Sequence, residues 1–375
     1  MSLEPETQQA DTEAERQRQI EADRVALYRA FGQLQSGARS FLYDEWDYLG
    51  QRYLPGWCRV HEKRLRGNDF EFIGRVRQRH AALMRTIRRQ FMAVRPESYR
   101  RERPVRDGEQ IDLDAIIEAV IDRRNGQLPD DRVYIRQLRG EREVACAFLL
   151  DMSASTDYPI PDPDLDGKSV GALPVADQED AYLWAVSHSP DDLPASAQPV
   201  RRVIDVARES MALMSEALHL LGDSHAVYGF SGQGREEVEF YVAKDFNDPV
   251  SERSWSAIAE MKPRRSTRMG AAIRHAVRRL NMQPTRTKLL IMISDGYPED
   301  SDYGPDRHDH EYGIQDTARA LREAERAGVR TFCVTVDRAG HDYLRRMCEA
   351  ERYLVIDEIE ALPDALSKLY RVLTN

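Results

Sequence analysis

The chain has 375 residues, 41% hydrophobic and 31% charged, with a net charge of −10. That is the profile of a globular protein large enough for about two or three domains. No stretch approaches the roughly 18 apolar residues of a membrane span, and the start, Met1 to Thr7, lacks the basic and then apolar pattern of a signal peptide. A cytoplasmic protein without membrane insertion is therefore expected.

Cys58, Cys146, Cys333 and Cys348 form no CxxC pair and read as reduced thiols rather than zinc ligands or disulfides. Charge is uneven along the chain. Residues 52–106 carry 16 Lys/Arg against 5 Asp/Glu, and residues 157–198 carry 9 acidic residues against one lysine. Each stretch suits either a docking surface or an ordinary solvated face.

Residues 1–19 read as a disordered tail. Residues 20–138 read as a mainly helical, partly irregular region that packs on the domain formed by the rest of the chain. Its expected parts are a helix from Ile20 to about Leu34, an aromatic irregular segment from Tyr43 to Cys58 with Pro55-Gly56 as a turn, and helices over 70–93 and 111–122. Alternation from Arg132 to Leu138 predicts an edge strand that forms a hairpin with the apolar run 143–150. Residues 157–200, rich in Pro and Asp, read as a long acidic loop with one short helix at Tyr182–Val186.

From Val203 onward, strands and helices alternate. Strands are expected at 225–231, 238–242, 288–294, 331–336 and 353–356, and helices at 203–221, 255–261, 269–280, 314–327 and 362–373. This predicts an α/β fold, a Rossmann-like, mostly parallel sheet flanked by helices and spanning 139–375. Ligands of such sheets bind at the carboxyl ends of the strands.

The run Val144 to Leu150 ends in Asp151-Met152-Ser153-Ala154-Ser155. In an extended segment, alternate side chains share a side, so Asp151, Ser153 and Ser155 point at one spot. Thr267, before the helix at 269, and Asp295-Gly296, after the strand at 288–294, belong to the same sheet edge. Taken singly, Thr267 could be a helix cap and Asp295 a turn residue. Together the five offer hard oxygens suited to Mg²⁺, with Mn²⁺ or Ca²⁺ as substitutes.

Here the sequence resembles the von Willebrand factor A (VWA) domain with its metal-ion-dependent adhesion site, over about 143–373 with 157–200 as an insertion. The resemblance implies metal ligands at Asp151, Ser153, Ser155, Thr267 and Asp295, and a coordination position left for a carboxylate of a partner. It implies docking without bond breaking, so no enzyme. Asp-Met-Ser-Ala-Ser-Thr-Asp, Arg-Val-Ile-Asp-Val-Ala-Arg-Glu, Thr-Arg-Met-Gly-Ala-Ala-Ile-Arg-His-Ala and Ser-Asp-Gly-Tyr-Pro-Glu-Asp further resemble the NorD/CbbO branch. Members of that branch work with MoxR-type AAA+ ATPase rings on a target enzyme, nitric oxide reductase for NorD and Rubisco for CbbO. The chain is shorter than such members, so an N-terminal portion of theirs is expected to be missing or reduced.

Other motifs carry less. Asp166-Gly167-Lys168-Ser169 resembles the end of a phosphate loop, but Asp162 stands where the first glycine belongs. Gly229-Phe230-Ser231-Gly232-Gln233 lacks the final glycine of a nucleophile elbow, so Ser231 reads as a turn residue beside the metal edge. His308-Asp309-His310-Glu311 reads as a solvated loop. The basic helix at 75–89 lacks the aromatic pattern of a nucleic-acid binder. Two alternatives to the adaptor stay open: a metal-dependent hydrolase with Asp157 as base, and a passive adhesion scaffold without an ATPase.

Overall fold

The computed structural model describes residues 33–35, 38–94, 99–139, 143–160, 201–304, 310–335, 340–349, 352–356 and 361–374. The expected tail at 1–19, nearly all of the helix expected at 20–34, the short helix at 182–186 and most of the acidic loop lie outside these residues.

The sheet is built outward from β7 (Val144–Asp151), whose eight residues are all buried. On one side lie β8 (Ser224–Gly232), β9 (Val238–Lys244) and β3 (Arg52–Arg64), then β2 (Ala38–Asp47) and β1 (Gln33–Gln35). On the other lie β10 (Thr287–Ser294), β11 (Val329–Thr335) and β12 (Tyr353–Val355). Five pairings are parallel, and β1–β2, β2–β3 and β8–β9 are antiparallel. This is a VWA fold, a mixed and mostly parallel sheet flanked by helices.

A strand covered on both faces must be apolar at every position, and the period of two sorts β7 between two cores. Cys146, Phe148 and Leu150 join the cluster that includes Met211 and Met214 of α4 (Val203–Leu221) and Leu366 of α9 (Leu362–Thr374). Ala145, Ala147 and Leu149 join the cluster of Ala272 and Ile273 on α6 (Met269–Asn281) and Leu321 on α7 (Glu311–Arg326). Helix α4 stops at Gly222, whose φ of 82° suits glycine, and Asp223 N–H closes the turn on Leu218 O at 3.1 Å. At Gly229 a Cβ would lie 2.2 Å from Met152 Sδ, so β8 passes close to the chain leaving β7.

The N-terminal part differs from expectation. Residues 38–64 are a β-hairpin rather than an irregular overlay, and β3 extends the sheet through β9. Pro55-Gly56 is no turn. It lies inside β3 where the register shifts between Tyr43 and Glu45, with Gly56 at φ 57° and its N–H on Asp44 Oδ1 at 2.8 Å. Proline is tolerated at such a bulge. The helix expected over 70–93 is two, α1 (Phe72–Arg79) and α2 (Ala81–Val94), separated at His80.

The strand expected at 132–138 does not pair with β7. As β6 (Tyr134–Arg139) it forms a separate sheet with β4 (Tyr99–Val105) and β5 (Gln110–Ile111), carrying α3 (Leu113–Arg124). β7 is paired on both sides by parallel neighbours, which leaves no free edge for a hairpin. The remaining helices are α5 (Glu252–Ala259), packed near β9, and α8 (Gly340–Met347), beside α7.

Candidate functional site

The sheet changes direction at β7. The chain crosses to β8 on one side and later returns to β10 on the other, which opens a crevice at the strands' carboxyl ends. The register aligns Leu150 with Ile293, so Asp151 comes level with Ser294 on the adjacent parallel strand, and Asp295 follows one residue on. All five residues singled out from the sequence lie on segments that meet at this edge.

Asp151 is fully buried. Its Oδ1 accepts from Ser153 N–H at 2.9 Å and from Thr267 Oγ1 at 3.5 Å, and its Oδ2 accepts from Ser294 Oγ at 2.7 Å. Ser153 Oγ and Ser155 Oγ lie 3.0 Å apart, and Ser155 Oγ donates to Asp295 Oδ1 at 2.9 Å. A chain of contacts thus links β7, the turn at Ala154–Asp157 and the residue after β10. Thr267 joins from the segment before α6. It is not the helix cap, because Arg268 holds that position and no side chain caps it.

Loop backbone fixes these positions. Met152 O accepts from Arg264 N–H at 2.7 Å, Ala154 N–H donates to Arg265 O at 2.8 Å, and Thr267 N–H donates to Glu299 O at 2.7 Å. Ser231 lies inside β8, not in a turn, and its Oγ accepts from Arg265 N–H at 2.9 Å. It tethers the loop that carries Thr267.

The electrostatics are lopsided. Every partner of the Asp151 carboxylate among the described residues is neutral, and no ion pair from them reaches it. Burial pushes its carboxyl up, opposed by the hydrogen bonds from Ser294, Ser153 and Thr267. A buried carboxylate without a counter-charge beside converging hydroxyls and a second carboxylate is a donor set that fits a small hard cation. Among the described residues no group of three or more His, Cys, Asp or Glu could hold a metal, so a softer site of the zinc type is not offered there.

His310 stacks on Tyr297 with centroids 5.0 Å apart, while His308 and Asp309 lie outside the described residues. The phosphate-loop look-alike at 166–169 also lies outside them. Asp157 is ion-paired to Arg202. Sequence reasoning missed Ser294, which makes the shortest hydrogen bond to Asp151, although it closes the apolar run of β10. It also missed Arg268, which adjoins Thr267.

Fold and strand-end motif together define a VWA-domain protein. Residues 206–368 match the von Willebrand factor type A domain family. The chain is 34% identical to an uncharacterized protein of Pseudomonas aeruginosa over 328 residues, 87% of this chain and 46% of that one. It is 34% identical to the NorD protein of Stutzerimonas stutzeri, covering 75% of this chain and 39% of that protein, and 30% identical to NorD of Brucella melitensis, covering 89% and 46%. The chain is thus a NorD-type VWA protein, and it spans less than half the length of these curated relatives. Among the described residues no helix is long and apolar enough to cross a membrane.

Proposed function

We propose that this chain is a metal-dependent protein-docking adaptor rather than an enzyme. Asp151, Ser153, Ser155, Thr267 and Asp295 would hold Mg²⁺, with Mn²⁺ or Ca²⁺ as substitutes. A cation there supplies a positive centre to which an Asp or Glu of a target protein binds. The observation that carries the reading is the buried Asp151 carboxylate, whose partners among the described residues are all neutral. Ser294 orients Asp151, Ser155 orients Asp295, and the 264–267 segment brings Thr267 to them.

By resemblance to the NorD/CbbO branch, the adaptor would couple a MoxR-type AAA+ ATPase ring to a target enzyme, of the nitric oxide reductase or Rubisco kind, in the cytoplasm. Asp157, the base that the hydrolase alternative requires, is committed to an ion pair with Arg202, which opposes the upward push of burial on its carboxyl.

Titration calorimetry with Mg²⁺ on the wild type and on Asp151→Ala tests the site. Binding to the wild type and its loss in the variant, with an unchanged circular dichroism spectrum, is the expected result. A wild type that binds no divalent cation would sink the reading. Pull-downs with and without EDTA test the partner. Metal-dependent recovery of an AAA+ ATPase or a target enzyme is expected, and recovery indifferent to EDTA would count against metal-bridged docking.

A further inference from the structure

Arg268 follows Thr267 directly, and its side chain is fully buried. A buried guanidinium must be matched by acceptors. Glu45 of β2 meets Nε at 2.9 Å and Nη2 at 2.8 Å. Asp300 meets Nη1 at 3.0 Å, Asp302 is ion-paired to the same nitrogen, and Asp302 O accepts from Nη2 at 3.3 Å. The Tyr303 ring lies against the guanidinium, its centroid 4.5 Å away.

These partners tie Arg268 to three segments. Asp300 and Asp302 belong to the loop that leaves Asp295, and the same loop accepts Thr267 N–H through Glu299 O. Asp300 Oδ1 also accepts from Gly234 N–H at 2.9 Å, and Asp302 from Arg235 N–H at 3.0 Å, which holds the β8–β9 turn. Glu45 belongs to the hairpin, which lies outside the matched VWA residues 206–368. It is buried, accepts from Cys58 Sγ at 2.9 Å, and its Oε1 has no hydrogen-bond partner among the described residues. Burial pushes the Glu45 carboxyl up, and the Arg268 charge opposes that push. No other cation pairs with Glu45 among the described residues, so the hairpin's buried charge depends on the residue next to Thr267.

We propose that Arg268 is a positioning residue for the metal site, and that through Glu45 it ties that site to the N-terminal hairpin. The inference rests on the metal-docking reading above. The carboxylates that pair with Arg268, those of Glu45, Asp300 and Asp302, are not among the candidate ligands. Arg268 acts by fixing the backbone that carries Thr267 and the loop that leaves Asp295. Coupling of this kind is reciprocal. A ligand that orders the metal loops also orders the hairpin, and a partner that engages the hairpin changes the metal site.

Cys58 is a natural reporter, because its thiol is buried at the far end of the link and donates to Glu45. The full chain is labelled with N-ethylmaleimide in Mg²⁺ or in EDTA, and each cysteine is followed by peptide mass spectrometry. Mg²⁺ affinity is measured on the same samples by calorimetry. In the wild type Mg²⁺ should slow labelling of Cys58 by roughly fivefold, the low end of ordinary coupling, and by more than it slows the buried Cys146 and Cys333. Glu45→Gln should remove that selective response. Arg268→Lys keeps the charge but lacks the fork that serves Glu45 and both aspartates, so it should weaken Mg²⁺ binding as well.

A wild type that binds Mg²⁺ while Cys58 responds no more than Cys146 and Cys333 overturns the inference and spares the metal reading. So does an Arg268→Lys protein with wild-type Mg²⁺ affinity. A wild type that binds no Mg²⁺ overturns both. A variant that labels faster at all three buried thiols, with Mg²⁺ affinity unchanged, assigns Arg268 a purely structural role and also overturns the inference.

Discussion

His225 lies near the start of β8, in register with Cys146 of β7 and at the strand end away from the site, and its two ring nitrogens are both engaged. Nδ1 lies 3.2 Å from Asp223 O, which can only accept, so Nδ1 carries the proton. Nε2 then accepts from Ser215 Oγ at 2.7 Å. Burial, with Lys244 nearby, lowers the imidazole from its ordinary 6.5 to about 3. The unfolded chain takes up a proton below 6.5 that the folded chain refuses until about 3. Stability is therefore full above 6.5 and falls as the pH drops through that window, by about 2 kcal/mol at pH 5 for this one group. Urea unfolding of the wild type at pH 7 and pH 5 should show that loss, and His225→Gln should show a smaller one. Equal losses in the two proteins would refute the assignment. At the same scale, Asp151, Ser153, Ser155, Thr267 and Asp295 were legible in the sequence because strand-end position and residue type suffice to group them. Ser294, Arg268 and Glu45 were not. Their roles depend on which loop folds back against which strand, and local spacing carries no trace of that.

Elements differ sharply in how much of their apolar surface is used. On α6, Ile273 is fully buried against the sheet face of β7. On α3 no residue is fully buried, and Leu113, Ile117, Val120 and Ile121 stand exposed on one side. Asp112 caps α3 by accepting from Asp114 N–H at 3.2 Å, so the helix is started by local chemistry rather than by packing. Ile117→Lys should therefore change stability by no more than about 0.5 kcal/mol, while Ile273→Ala should cost about 2–5 kcal/mol. Urea midpoints of the two variants check this, and a large loss from Ile117→Lys would mean that α3 is packed in solution. The contrast also explains which elements the sequence predicted well. Helices such as α4 and α9 declared themselves by apolar period. The β2–β3 hairpin did not, because its inward residues include Ser40, Glu45 and Cys58, and Pro55-Gly56 mimics a turn while forming a bulge. The partner of β6 was misjudged because pairing between strands is non-local, and β7 is claimed on both sides by strands far along the chain.

Across the whole molecule, the site is a place where stability is given up. The two cores on either face of the sheet are continuous and apolar, yet between them β7 delivers a carboxylate to a buried position with neutral partners only among the described residues. Burying a charge in this way is unfavourable unless something compensates it. If the compensation is a bound cation, it should be visible in folding as well as in docking. Asp151→Asn keeps the shape and removes the charge, so in EDTA it should be more stable than the wild type, by about 1 kcal/mol. Mg²⁺ at a hundredfold excess over its Kd should stabilise the wild type by about 2.7 kcal/mol and the variant not at all. The order of stabilities thus inverts with Mg²⁺, with the variant ahead in EDTA and the wild type ahead in the metal. Denaturant melts of both proteins in both conditions read this directly. An Asp151→Asn protein that is less stable in EDTA would mean that the carboxylate already has its compensation within the fold, and a wild type indifferent to Mg²⁺ would remove the metal from the account.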